Sequence, residues 1–166
     1  MGSTYATMLT MTTYGTWLRG DVRGWIDDGR VMPPNPQLED DDRRRMKHPV
    51  FTFGPADLVD VGSYIGESLI ERLQVRIFAL TVQTWHAHIV IGPTRVDLAR
   101  IVKCAKDAVR WGLRPGRPIW TDGYDRRFCF DERAMWNRVE YVERHNIALG
   151  LPARPWPFIK HPDSPG

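Results

Sequence analysis

Cysteine is scarce in this sequence. Cys104 and Cys129 are the only two in 166 residues, too few for a disulfide scaffold and without zinc-ligand spacing, so both read as ordinary reduced residues. No apolar run approaches the roughly 20 residues that span a bilayer, and no signal peptide is expected ahead of the first strand. A cytoplasmic protein with no membrane partner is the expectation. Neither sign of charge dominates, with 23 Lys and Arg against 20 Asp and Glu. The distribution is uneven, however. Residues 95–166 hold 14 basic against 9 acidic side chains, and residues 1–94 hold 9 against 11. At 42% hydrophobic, the chain has enough apolar material for one core. The expected organisation is a single domain over 1–151 and a proline-rich tail over 152–166, with Trp156 and Phe158 pinning part of the tail back.

What the sequence does contain is the run Trp85-His86-Ala87-His88-Ile89-Val90-Ile91. Side chains alternate along a strand, so His86 and His88 share one side while Ala87, Ile89 and Ile91 take the other. Two neutral imidazoles on one side suit a divalent metal and leave positions for a third ligand and a phosphate oxygen. The same spacing also fits a satisfied structural pair.

A third ligand and a nucleophile are both available on the segment from Asp131 to Gly150, which reads as a helix. Asp131 can cap it, Glu132 suits the positive end of its dipole, and Gly150 before Pro152 makes a stop. Met135, Val139 and Val142 form its buried stripe. Tyr141 and His145 lie off that stripe and, four apart, are neighbours on one face. Docked beside the histidine strand, such a helix completes a three-histidine site with a tyrosine at its edge. The chemistry suited to that site is transesterification of a phosphodiester, in which a phenolic oxygen attacks phosphorus and the bond energy is kept in a covalent link.

The rest of the chain has a coarse plan. Tyr5 to Thr13 reads as a strand, and a helix follows Pro55 with Leu58, Val61, Ile65 and Leu69 spaced for burial. Val75 to Val82 and His86 to Ile91 form a hairpin around Gln83 to Trp85. Thr94 to Leu113 is an amphipathic helix with Leu98, Ile101, Val102, Ala105 and Val109 buried and Thr94 with Asp97 as a capping pair. A strand lies within Ile119 to Phe130, and the tyrosine helix ends the core. This order predicts an α+β fold, the ferredoxin-like split β-α-β antiparallel sheet with helices on one face and an added C-terminal helix. The stretch 27–52, with four prolines and adjoining acidic and arginine runs, reads as an insertion loop on the surface.

On the helix over 94–113, Lys103, Lys106 and Arg110 form a cationic stripe that can track phosphates, or simply a solvated face. Arg126 and Arg127 are further phosphate candidates. Of the seven tryptophans, Trp17, Trp25, Trp111, Trp120 and Trp136 suit the core, whereas Trp85, next to His86, is placed to border the site.

These residues carry a resemblance. The histidine-hydrophobe-histidine strand followed by a tyrosine helix resembles the single-tyrosine HUH transposases, including the bacterial REP-associated tyrosine transposases. The opening Leu9-Thr10-Met11-Thr12-Thr13-Tyr14-Gly15-Thr16-Trp17-Leu18, with Gly20-Asp21 and Arg23-Gly24-Trp25, is similar to the first strand and loop of one branch, and YVERHNIALGL from Tyr141 is similar to the tyrosine helix. The resemblance implies that His86 and His88 bind Mg²⁺ or Mn²⁺ and that Tyr141 is the nucleophile. His145 stands where the family places a polar third ligand, with Glu143 and Asn146 as neighbours to exclude. Ala87 is smaller than the family's usual residue there, and Gln83-Thr84-Trp85 departs from its Met-Pro-Asn. The implied activity is endonuclease and strand transfer on single-stranded or hairpin DNA in a bacterial cytoplasm, through a 5′-phosphotyrosine. A homodimer is plausible on this resemblance. The alternatives are a non-cleaving hairpin-binding descendant and a ferredoxin-like domain whose histidines only pack.

Overall fold

The computed structural model describes residues 3–163; residues 164–166, the end of the expected tail, lie outside it. Its main sheet comprises β1 (Ala6–Thr12), β4 (Ile77–Val82), β5 (His86–Ile91) and β6 (Asp125–Cys129) in the order β4-β5-β1-β6, with every neighbouring pair antiparallel. This is the expected split β-α-β arrangement. β5 lies between β1 and β4, and β1 lies between β5 and β6. The crossovers are α2 (Leu58–Leu73) and α3 (Leu98–Leu113), and α4 (Glu132–Ala148) follows β6.

Strand alternation divides the core in two. Leu9, Met11, Leu80, Val82, Ala87, Ile89 and Ile91 pack with Val61, Ile65 and Leu69 of α2 and Ile101, Ala105 and Val109 of α3. Ala6, Met8, Phe78, Val90 and Cys129 turn the other way, onto Met135, Val139 and Val142 of α4. The crossover helices therefore cover one face of the sheet and the tyrosine helix covers the opposite one. The even-numbered residues of β5, His86 and His88, belong to the α4 side.

α4 begins as its sequence predicts, with Asp131 Oδ1 accepting from the Ala134 amide at 2.7 Å. Its buried stripe extends to Asn146, whose Nδ2 donates to the carbonyls of Leu80 at 2.9 Å and Ala153 at 3.0 Å. That amide fastens α4 to β4 and to the tail at once. The tail is held further by Trp156, whose indole donates to the Val59 carbonyl at 2.9 Å. Trp156 and Phe158 lie against the bare backbone of Gly62 and Gly66 on α2, where a Cβ would collide with either ring. The Lys160 amide also donates to Ile77, covering the edge of β4.

Two local expectations are corrected. α3 starts at Leu98, not Thr94, because Asp97 makes no side-chain cap and Thr94 Oγ1 instead accepts from the Val96 amide at 3.1 Å. The segment 27–52 is not irregular throughout. Asp28-Gly29, both at positive φ, turn the small hairpin of β2 (Trp25–Asp27) and β3 (Arg30–Met32). α1 (Pro36–Arg45) follows, capped by Asn35 with Pro36 in its first turn. The acidic and arginine runs lie along α1, with Glu39 near its positive end and Arg43, Arg44 and Arg45 near its negative end. Among the described residues, no helix is long and apolar enough to cross a membrane.

Candidate metal and tyrosine site

The β1–β5 register places Thr10 opposite His88 and Thr12 opposite His86. Directly opposed residues point to the same face, so Thr10 stands beside His88, with its Oγ1 2.8 Å from Nδ1. On α4, Ala134, Arg138, Tyr141 and His145 recur at helical spacing beside the buried stripe. This second stripe faces the histidines. The ring of Tyr141 is 4.5 Å from that of His145 and 5.5 Å from that of His88, and the His145 and His88 rings are 5.4 Å apart. The His86 and His88 rings are 4.6 Å apart.

One ring nitrogen from each of His86, His88 and His145 comes within 4.8 Å of the others. His145 Nδ1 lies 2.8 Å from the Tyr141 carbonyl, which can only accept, so Nε2 keeps its lone pair. In the tautomer in which His88 Nδ1 donates to Thr10, its Nε2 is likewise free. His86 Nδ1 is buried and has no hydrogen-bond partner. A His86 ring with an orphaned buried nitrogen, grouped with two rings that can each present a lone pair, fits a metal ion better than it fits a self-sufficient packing cluster.

The electrostatics favour neutral, ligand-ready rings. Burial, then the nearby His145 and Arg23, pushes His86 down to about 4. Burial, then His86, His145 and Arg138, pushes His88 down to about 3. Glu143 stands apart from this cluster, with its carboxylate 3.7 Å from His161. Asn146 lies on the buried stripe of α4, with Nδ2 bonded to the carbonyls of Leu80 and Ala153 and Oδ1 buried without a hydrogen-bond partner. Of the three residues weighed for third ligand, the fold brings His145 to the pair.

The basic candidates separate by face. Lys103 and Arg110 lie on α3, across the sheet from the histidines, and both pair with Asp107. Lys106 donates to the carbonyls of Thr121 at 2.8 Å and Gly123 at 2.7 Å, and burial lowers its pKa. It works as a loop fastener. Arg127 is opposite Met8 and Arg126 opposite Leu9, so alternation turns only Arg127 to the α4 side, where it pairs with Asp125 at 3.1 Å. Arg126 leans over Phe128.

Sequence reading missed Arg138 and Arg144. With Tyr141, Asn137, Phe128, Cys129 and Ala134 they line an open cavity of about 290 Å³ beside the phenol. The signal was there, since Arg138 and Arg144 stand three residues either side of Tyr141. Trp85 does border the site, its ring 4.0 Å from that of His86. Trp111, by contrast, is 65% exposed and fills no core.

No protein-family model matches this chain, and no curated protein matches it in sequence. Among solved structures, the chain is similar to a REP-associated tyrosine transposase bound to a REP hairpin. The match has a TM-score of 0.52 at 13% identity and covers 94% of this chain and 76% of the other. The relationship shown is a distant one of fold, an antiparallel sheet of four strands with its helices, spanning nearly the whole chain.

Proposed function

We propose that this protein is a metal-dependent single-stranded DNA endonuclease and strand transferase of the transposase type. The observation that carries the reading is the convergence of His86, His88 and His145 with the phenol of Tyr141, at the meeting of β5 and α4. A hairpin-bound fold neighbour supports DNA as the partner.

A bound divalent ion supplies Lewis-acid polarisation of the scissile phosphate. The three imidazoles would hold that ion, with Thr10 orienting His88 and the Tyr141 carbonyl orienting His145. Three nitrogen donors with no carboxylate suit Mn²⁺ better than Mg²⁺, which prefers oxygen ligands. Tyr141 Oη attacks phosphorus, forming the tyrosine–phosphorus bond as the P–O3′ bond breaks. The phenol gives up its proton to water, and the leaving 3′-oxygen takes one. A phenol is a weak nucleophile until it loses its proton, so at neutral pH the bound ion or a base would have to promote that loss. The 5′-phosphate end stays on Tyr141 until a 3′-hydroxyl reverses the step and joins the strands. Arg138 and Arg144 line the cavity beside the phenol and serve as contacts to the strand's phosphates, with Arg127 on the same side of the sheet. With α4 held on its own sheet by Asn146 and the buried stripe, Tyr141 stands beside the histidines of its own chain.

The test is incubation with Mn²⁺ and hairpin oligonucleotides carrying single-stranded flanks. A denaturation-resistant protein–DNA adduct, absent in Tyr141→Phe, is expected. Binding without any adduct across the pool would replace this reading with a non-cleaving recognition module.

A further inference from the structure

A fixed cation lies beside the histidine cluster without a part in the reaction just described. Arg23, in the loop between β1 and β2, lays its guanidinium over the Trp17 ring, 3.9 Å from its centroid, and over Trp85 at 5.1 Å. The two indoles lie 5.7 Å apart, and Trp85 is the ring against His86. Three bonds orient the arginine fork. Nε donates to Asp21 Oδ1 at 2.8 Å, and Nη2 donates to Asp21 Oδ2 at 2.7 Å and to the Thr16 carbonyl at 2.9 Å. Asp21 is buried, and its own Oδ1 also takes the Arg23 amide at 2.8 Å. The bond to Arg23 holds the Asp21 carboxyl below its ordinary range.

None of these bonds uses Nη1, and the Arg23 side chain keeps 42% of its surface exposed. A loop staple needs only the edge that Asp21 and Thr16 take. Here the second edge is also held in place, over two rings, next to the candidate metal site. The rotamer entropy an arginine loses on binding is already lost before any ligand arrives. The ligand chemistry that matches a fixed planar donor is a phosphate oxygen. We infer that Arg23 forms a phosphate subsite beside the histidine cluster, holding the phosphodiester next to the one that Tyr141 attacks, with Trp17 and Trp85 as the floor that keeps the guanidinium in place. The identity of the strand rests on the transesterase reading; the phosphate contact is measurable without cleavage.

The experiment uses the full chain carrying Tyr141→Phe, in chelator and without metal, titrated against a fluorescein-labelled single-stranded oligonucleotide from ~50 to 200 mM KCl. Adding Arg23→Gln is expected to weaken binding about tenfold at the lowest salt and to flatten the slope of log K against log[KCl] by about 0.7, one phosphate contact on a single strand. Arg23→Lys should keep the slope and recover only part of the affinity, because it keeps the charge without the fork. A folded Arg23→Gln protein with unchanged slope overturns the proposal, as does a parent that does not bind the oligonucleotide. Should Arg23→Gln not fold, Arg23→Lys decides by affinity: weaker binding at an unaltered melting temperature supports the subsite, and parental affinity overturns it. The two readings fail separately. Adduct formation by the wild type with an unchanged Arg23→Gln slope removes only the subsite, whereas a flattened slope with no adduct removes only the transesterase.

Discussion

His145 donates its Nδ1 proton to the carbonyl oxygen of Tyr141, 2.8 Å away and one helical turn earlier. The same step of four residues that brings phenol and imidazole together also fixes the imidazole's tautomer and frees Nε2. Nucleophile and third ligand are thus positioned by one turn of α4.

Removing His145 should therefore cost metal binding without costing the fold. Mn²⁺ at about 100 times its Kd stabilises a protein by ~2.7 kcal/mol, readable as a rise in melting temperature. His145→Ala is expected to lose most of that rise while its metal-free melting temperature stays close to wild type, since the side chain is only half-buried and lies outside the apolar stripe of α4. A full Mn²⁺ response in His145→Ala would show that the ion, if bound, is held elsewhere.

Thr10→Val replaces the hydroxyl 2.8 Å from His88 Nδ1 with a methyl of similar size. Loss of a partner that orients a ligand typically lowers metal affinity about 10- to 100-fold. Isothermal titration with Mn²⁺ should show a drop of that order, and an unchanged affinity would leave Thr10 with no role in the site.

The metal-free protein should weaken in acid through its two buried histidines. His86 is held near 4 and His88 near 3, chiefly by burial, whereas both return to about 6.5 in the unfolded chain. Between those values the unfolded chain binds more protons, so this stability is complete above about 6.5 and is lost as pH falls through about 4 and then 3. The urea midpoint should fall from pH 7 to pH 4, and the fall should shrink in the double variant His86→Gln, His88→Gln. An equal fall in both proteins would assign the effect to other groups.

Asn146→Leu tests what holds α4 to the sheet. It strips the donor from two carbonyls, those of Leu80 and Ala153, at a cost of about 1–3 kcal/mol. Chemical denaturation should report a loss of that size. A neutral substitution would mean that the buried stripe alone positions Tyr141.

The parts of this site readable in sequence are those that depend on local period. Alternation along β5 put His86 with His88, and the step of four on α4 put Tyr141 with His145. The limits of α4 followed from Asp131 and from the apolar spacing. Less was readable where contacts join distant segments. The choice of His145 over Glu143 and Asn146 depends on which flank of α4 meets β5, and Arg23 reaches Trp85 only because the loop after β1 folds back on the β4–β5 turn. The cationic stripe on α3 was correct as periodicity, but its face of the sheet is a matter of topology, and the carbonyls that take Lys106 come from the loop before β6. α1 escaped notice because it buries no residue, so it carries no hydrophobic period to detect.

The most direct test of the central claim asks which strand end Tyr141 keeps. Hairpin oligonucleotides labelled at the 5′ or at the 3′ end are incubated with the protein and Mn²⁺, denatured, and resolved by mass. The expected result is an adduct that carries the 3′ label, a phosphate ester on the peptide containing Tyr141, and loss of both in Tyr141→Phe and His86→Ala. An adduct carrying the 5′ label, or one that persists in Tyr141→Phe, would contradict it.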